Sequence, residues 1–248
     1  MLSALAGGRM LGSRFGSEPA GVVALHGWAR SGADFDRVLT GLDAVAPDLP
    51  GFGATAPPDA AWGSAEYASA VLPLCEEGPP PIVVGHSFGG RVAVMLAAAH
   101  PERVGGLVLT GTPLWRPEGA VTPTAGLGFR LVKRLHSLGL IGDEWMEKRR
   151  QRSGSQDYRA AAGVMRAVLV RAIAETNDGT YRRALAAITC PIALVWGERD
   201  TAAPLAVARE AHAATGAALT VLPGVGHMTP VDAPDALHAA ISSLLGDR

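Results

Sequence analysis

Short apolar runs alternate along this chain with longer segments that carry the spacing of α-helices. The clear runs are residues 22–25, 81–84, 107–110, 192–196 and 218–222, and a weaker one covers residues 45–47. The clear runs are nearly continuous in apolar side chains, as expected of parallel strands covered by helices on both faces. The alternation predicts an α/β fold with a doubly wound, mostly parallel sheet.

Helices are predicted at residues 88–99, 203–214 and 236–245, which are rich in Ala and Leu. Residues 112–187 break the alternation, because they contain several helical stretches and no convincing strand. We therefore expect a core domain formed by residues 1–111 and 188–248, with a helical cap inserted at residues 112–187.

An apolar stripe lies within the cap segment 160–174. Arg166 and Arg171 interrupt the segment, and each would cost about 2.5–3.5 kcal/mol at a bilayer centre, so we interpret it as a helix outside the membrane. The two arginines are expected to point away from the stripe. A stripe that packs on the core domain is favoured over one that faces a substrate, and its members are Val164, Met165, Val168, Leu169 and Ile173.

The composition excludes several classes of protein. Hydrophobic residues make up 48% of the chain and charged residues 18%, which predicts a sizeable core. The net charge is -1 and there is no long basic tract, so a nucleic-acid partner is not expected. Neither a signal-peptide pattern nor an apolar run of about 18 residues occurs, which favours a cytoplasmic protein without a membrane partner. Cys75 and Cys190 are widely separated, so no disulfide and no metal site is expected. No cofactor is expected either, and the oligomeric state stays open.

The sequence Gly-His-Ser-Phe-Gly-Gly at residues 85–90 lies between a predicted strand and a predicted helix. Small residues on both sides of Ser87 permit a tight strand-to-helix turn that exposes its hydroxyl at the carboxyl edge of the sheet. The N-terminus of the helix also favours negative charge developing there. Ser87 is therefore predicted to be a catalytic nucleophile, and an ordinary structural turn is the alternative.

A serine hydroxyl needs a base within hydrogen-bonding reach and a group that orients that base. His227 lies in the loop between the last strand and the last helix, which returns it to the edge where Ser87 is expected. His86 is expected to point away from Ser87 and be structural, and His26 to brace its loop. The remaining histidines are assigned to the surface or the cap, namely His100, His136, His212 and His238.

Asp200 is predicted to be the acid that orients His227. It ends the turn that follows the strand at residues 192–196, and the order Ser, Asp, His is that of one class of hydrolases. Glu198 in the same turn is the competing acid. Asp48 is expected to form hydrogen bonds within the turn of residues 47–53 and not to be catalytic.

Two backbone N–H groups are candidate donors to an oxyanion. One belongs to Phe88, the residue after the nucleophile. The other belongs to Trp28, in the loop after the strand at residues 22–25, and its indole would wall the substrate pocket. Met165, Leu169 and Met228 are further candidates for the pocket lining.

Six motifs together resemble the α/β-hydrolase superfamily, in its capped branch with a serine nucleophile. They occur in the family's order and are LHGW (25–28), DLPGFG (48–53), GHSFGG (85–90), PERVGGLVL (101–109), WGERD (196–200) and GVGHM (224–228). The resemblance implies the α/β-hydrolase fold and a Ser-Asp-His triad. It disfavours relatives that use an aspartate as nucleophile. Residues 1–20 lack a clear strand pattern, so a shortened sheet is an open alternative.

The leading functional hypothesis is a carboxylesterase that cleaves small-to-medium apolar esters through an acyl-enzyme on Ser87. One alternative is a carbon–carbon bond hydrolase of the meta-cleavage type, which would use the same triad. Another, from a different class, is a non-catalytic ligand-binding protein of this fold, which the intact Ser87, Asp200 and His227 disfavour.

Overall fold

One eight-stranded sheet organises the protein, in a computed structural model that describes residues 2–116 and 160–246. The strands are β1 (Leu2–Leu5), β2 (Met10–Phe15), β3 (Val22–Leu25), β4 (Ala44–Pro47), β5 (Ile82–His86), β6 (Gly106–Thr110), β7 (Ile192–Gly197) and β8 (Ala218–Leu222). Their order in the sheet is β1-β2-β4-β3-β5-β6-β7-β8. The pairings of β1 with β2 and of β2 with β4 are antiparallel, and all others are parallel. The predicted fold class is thereby confirmed.

Helices cover both faces of the sheet. In β5, Val83 packs into one hydrophobic cluster while Ile82 and Val84 pack into another, because successive side chains of a strand point to opposite faces. The described helices are α1 (Ser64–Val71), α2 (Phe88–Ala99), α3 (Gly163–Glu175), α4 (Thr180–Ala187), α5 (Leu205–Thr215), α6 (Thr229–Asp232) and α7 (Pro234–Gly246). The first cluster contains residues of α1, α2, α3, α4 and α5, and the second contains residues of α7.

The shortened sheet is excluded by the hairpin that β1 and β2 form at one edge. In β2 the buried positions are Met10 and Gly12, and a Cβ on Gly12 would lie 2.6 Å from the Cα of Pro47. The inward position next to β4 thus has no room for a side chain. The period-two apolar pattern that identifies a strand is missing there for this reason.

At the opposite edge of the sheet, the expectation that residues 218–222 form a strand covered on both faces is wrong. β8 has no neighbour on its outer side, and its residues are exposed or half-buried, with Val221 exposed by 36%. An apolar run alone therefore did not distinguish this edge strand from the buried central strands. Helix α1 was not predicted at all, while the helices predicted at residues 203–214 and 236–245 are α5 and α7 with shifted ends.

The cap segment is described only at residues 112–116 and 160–187, which contain α3 and α4 and no strand. In α3, Val168 and Leu169 are buried, but Ile173 is 42% exposed because Ala172 continues the buried face one turn after Val168. Arg171 is exposed as expected, whereas Arg166 is half-buried and donates from Nε to the Ala161 carbonyl at 2.9 Å. The rest of the predicted cap, including His136, lies outside the described residues. None of the described helices is long and apolar enough to cross a bilayer.

Candidate active site

Ser87 occupies the turn between β5 and α2 with an unusual backbone conformation. Its φ is 52° and its ψ is -112°, a region that non-glycine residues adopt at a strain of about 1–3 kcal/mol. The turn is held by hydrogen bonds from the Ser87 N–H to the Thr110 carbonyl and from the Gly89 N–H to the His26 carbonyl, both at 3.0 Å. These bonds fix the Ser87 side chain at the carboxyl edge of the sheet.

Close backbone approach explains the glycines around Ser87. A Cβ on Gly85 would overlap the Cα of Gly90 and lie 2.8 Å from the Gly89 carbonyl oxygen. A Cβ on Gly89 would overlap the backbone of Leu25. The strand and the helix can meet at this turn only because these positions carry no side chain.

His227 lies between β8 and α6 and contacts both other members of the predicted triad. Its Nε2 is 3.1 Å from the Ser87 Oγ, and its Nδ1 is 2.8 Å from the Asp200 Oδ2. Asp200 is buried, and its Oδ1 accepts the N–H groups of Ala202 and Ala203 at 2.9 and 2.8 Å. Three side chains far apart in the sequence thus form one hydrogen-bonded chain.

The charge of Asp200 determines how His227 is oriented. An ionised carboxylate only accepts hydrogen bonds, so His227 Nδ1 carries the proton and donates it. Nε2 then presents its lone pair to the Ser87 hydroxyl, as a general base must. Glu198, the competing acid, is exposed and accepts the Gly224 N–H at 3.0 Å.

His86 braces the loop that carries His227. Its Nε2–H donates to the carbonyl oxygen of His227 at 2.9 Å, and the two rings lie 4.9 Å apart. Burial, with a smaller contribution from His227, lowers the pKa of His86 to about 4, so the ring is neutral at neutral pH. The sequence indicated a structural role for His86 but not its hydrogen-bond partner, because His227 lies 141 residues further along the chain.

The backbone N–H groups of Trp28 and Phe88 have no acceptor within the described part of the chain. His26 stabilises the loop that carries Trp28. Its Nδ1–H donates to the Gly27 carbonyl at 2.7 Å, and its Nε2 accepts the Leu49 N–H at 2.9 Å. Burial lowers the pKa of His26, which favours this neutral form. Trp28 and Phe88 both line the same cavity as Ser87.

A cavity of about 340 Å³ lies over Ser87 and His227. Trp28, Leu169 and Met228 line it. Met165 does not: together with Trp28 it lines a neighbouring cavity of about 410 Å³. Trp28 is held between the two by edge-on packing against Phe52 and Phe88, at ring distances of 4.9 and 5.5 Å.

Arg91 also lines the cavity over Ser87, although the sequence pattern did not indicate it as a site residue. Arg91 is one helical turn beyond Ser87 and is only 8% exposed. An available signal was its position as the single charged residue of α2, whose other residues are all apolar or glycine.

Comparisons with known proteins agree with this architecture. A family model described as the alpha/beta hydrolase family matches residues 22–240. A pimeloyl-[acyl-carrier protein] methyl ester esterase of Aromatoleum aromaticum is 32% identical over 218 residues, which cover 75% of this chain and 82% of that protein. Lipase LipV of Mycobacterium tuberculosis is 42% identical over 102 residues, which cover 39% of each protein. A thermophilic esterase from Thermogutta terrifontis superposes with a TM-score of 0.68 at 20% identity, over 100% of this chain and 98% of that one. At that identity the structural likeness concerns the fold alone.

Proposed function

This chain belongs to the alpha/beta hydrolase family, and from that premise we propose that it is a carboxylesterase that cleaves small-to-medium, largely apolar esters through an acyl-enzyme on Ser87. The hydrogen-bonded chain from Ser87 through His227 to Asp200 is the observation that carries the proposal. Relatives named as esterases and lipases support an ester as substrate.

In the first half-reaction, Ser87 Oγ attacks the ester carbonyl carbon and its proton passes to His227 Nε2. The distance of 3.1 Å between these two atoms suits that transfer. Asp200 stabilises the imidazolium that forms, because its carboxylate already accepts from Nδ1. The carbonyl oxygen becomes an oxyanion as the carbon becomes tetrahedral.

The N–H groups of Trp28 and Phe88 are proposed to donate to this oxyanion. In other enzymes, removal of one such donor raises the barrier by about 2.7–4 kcal/mol. The tetrahedral carbon then releases the alkoxide, which takes the proton from His227 Nε2 and leaves as the alcohol. Ser87 is left acylated.

Water completes the cycle in the second half-reaction. His227 Nε2 takes a proton from the water as its oxygen attacks the acyl carbon, and the released Ser87 oxygen takes that proton back. The products are the carboxylic acid and free enzyme. Residues 112–187 are proposed to form the cap that selects the substrate over the core of residues 1–111 and 188–248, with Trp28, Leu169 and Met228 as pocket walls.

A panel of p-nitrophenyl esters with graded acyl chains tests the proposal. Wild-type protein is expected to hydrolyse the short and medium esters and to be labelled at Ser87 by a fluorophosphonate. Ser87→Ala should lose labelling and about 10⁴-fold to 10⁶-fold in kcat, because the nucleophile is gone. Wild-type protein that is folded, remains unlabelled and hydrolyses no ester would overturn it.

The carbon–carbon bond hydrolase predicted as an alternative uses the same triad, so it needs a separate assay. Ring-cleavage dienones should be turned over much more slowly than the best ester. Rapid loss of dienone with poor ester rates would reverse the ranking of the two functions.

A further inference from the structure

Arg91 places a guanidinium in the wall of the cavity over Ser87. Its Nε donates to the Pro113 carbonyl at 3.0 Å, and its Nη1 donates to the Ala172 carbonyl at 3.2 Å. The guanidinium carbon lies 5.6 Å from the centre of the Tyr181 ring. The side chain is therefore held in a fixed position.

The positive charge of Arg91 has no direct counter-ion among residues 2–116 and 160–246. Its partners are neutral carbonyls and an aromatic ring, and its Nη2 has no acceptor there. The Glu175 carboxylate attracts it only at longer range and accepts hydrogen bonds from Ser64 and Tyr181 at 2.8 and 2.7 Å. Burial lowers the pKa of Arg91, but a guanidinium stays protonated in proteins. A buried cation of this kind is costly unless an anion meets it.

The cavity contains no carboxylate among its described lining residues, and its polar side chains besides Arg91 are those of Ser87, His86, His227 and Arg30. Leu169, Ala172 and Ile173 form part of its walls. The other cation in the lining, Arg30, is already paired with Asp34 through bonds of 2.7 and 2.5 Å, and its side chain is 43% exposed. Of the two arginines in the lining, Arg91 is thus the one whose charge is not paired with a carboxylate of the described residues.

We propose that Arg91 is a specificity-determining residue that binds a carboxylate on the substrate, so that the preferred ester has an apolar body and also carries an acid group. The inference rests on the proposed esterase function and narrows its substrate class. The carboxylate could belong to the acyl part, as in a monoester of a dicarboxylic acid, or to the alcohol part. Both present the same chemistry to the Nη2 edge of Arg91.

Matched pairs of esters test the inference on wild-type protein. Methyl esters of succinate, glutarate and adipate, each with one free carboxylate, are compared with neutral methyl esters of equal chain length. Carboxyalkyl acetates and alkyl acetates form the alcohol-side pairs. A charged hydrogen bond predicts a kcat/KM about 10-fold to 100-fold higher for the acidic member of at least one pair.

Arg91→Met is the diagnostic variant, because it keeps an unbranched side chain of similar reach and removes the charge. It should abolish the preference by raising KM for the acidic ester while the neutral ester changes little. Arg91→Lys should keep part of the preference. Arg30→Met is the matched control: it removes a cavity cation already paired with Asp34, and the ratio of acidic to neutral ester should stay as in wild type.

The outcomes separate the inference from the esterase proposal. Ester hydrolysis with no preference for any acidic member in wild-type protein overturns the inference alone, and needs no variant to fold. Equal losses on acidic and neutral esters in Arg91→Met would assign Arg91 to clamping the cap through Pro113 and Ala172. A preference removed by Arg30→Met but not by Arg91→Met would also overturn it. Absence of all ester turnover would instead overturn the proposed esterase function.

Discussion

Asp200 binds Nδ1 of His227 and thereby leaves Nε2 of His227 facing Ser87. We expect Asp200→Asn to lower kcat by about 10⁴-fold with a small change in KM, because an amide can donate to Nδ1 and leave the proton on Nε2. Steady-state kinetics on a p-nitrophenyl ester measures the effect.

Glu198→Gln is the control for Asp200→Asn. Glu198 is exposed and contacts the Gly224 N–H instead of His227, so the variant should retain nearly all activity. If Glu198→Gln were the variant that lost activity, the acid would have been assigned to the wrong member of the turn.

His86 links pH to stability. Its pKa is about 4 in the folded protein and near the ordinary 6.5 when unfolded, so between these values only the unfolded state binds the proton. Stability contributed by neutral His86 is therefore full above pH 6.5 and is lost as the pH falls toward 4.

His86→Gln isolates this contribution, because the Gln amide can still donate to the His227 carbonyl but does not titrate. Between pH 7 and pH 5, wild type should lose about 2 kcal/mol more in the free energy of unfolding than the variant does. Urea denaturation at both pH values measures this. His26 adds a loss of the same sign to both proteins, so equal losses in the two would contradict the assignment to His86.

The sequence predicted that Ser87, Asp200 and His227 would lie close together, because each follows the carboxyl end of a parallel strand and these ends meet at one edge of the sheet. It did not predict that Met165 would face the neighbouring cavity, since helical spacing identifies a stripe but not its rotation about the helix axis. Arg91 was missed because the sequence does not show which groups surround its guanidinium. Only the packing of α2 against Pro113 and α3 shows that its acceptors are neutral carbonyls.

Where strand β5 joins helix α2, there is no space for side chains at Gly85 and Gly89. We expect Gly85→Ala to destabilise the protein by about 1–3 kcal/mol or more, because its Cβ would overlap backbone atoms that cannot rotate away. Thermal denaturation measures the loss. Gly21→Ala is the control, since its Cβ would have ordinary contacts at 3.6 Å or more. Equal melting temperatures for the two variants would contradict the crowding.

Close backbone packing also limits which strands can be predicted from the sequence. The central strands were predicted because both their faces are apolar, whereas β2 was missed because Gly12 occupies its inward position against Pro47. β8 was predicted as a strand but not as an edge, because its sequence ALTVL is almost as continuously apolar as the sequence IALVWG of β7. Local composition thus identifies strands better than it identifies their neighbours.

For the molecule as a whole, the sheet couples two hydrophobic clusters that do not contact the same helices. The tryptophans Trp115 and Trp196 are buried in the first cluster, and Ile241 of α7 is fully buried in the second. Every central strand contributes side chains to both clusters, as β5 does with Val83 and Ile82. The two faces should therefore unfold together.

Ile241→Ala tests this coupling across the sheet. The variant should lower the free energy of unfolding by about 2–5 kcal/mol, because it removes buried apolar groups and leaves a cavity. Tryptophan fluorescence and far-UV circular dichroism should report the same lowered midpoint in urea, although Trp115 and Trp196 lie on the other face. Val231→Ala is the control, since Val231 is 44% exposed and its truncation should change stability by less than about 0.5 kcal/mol. A fluorescence midpoint that stayed at the wild-type value while the dichroism midpoint fell would mean that the two clusters unfold independently.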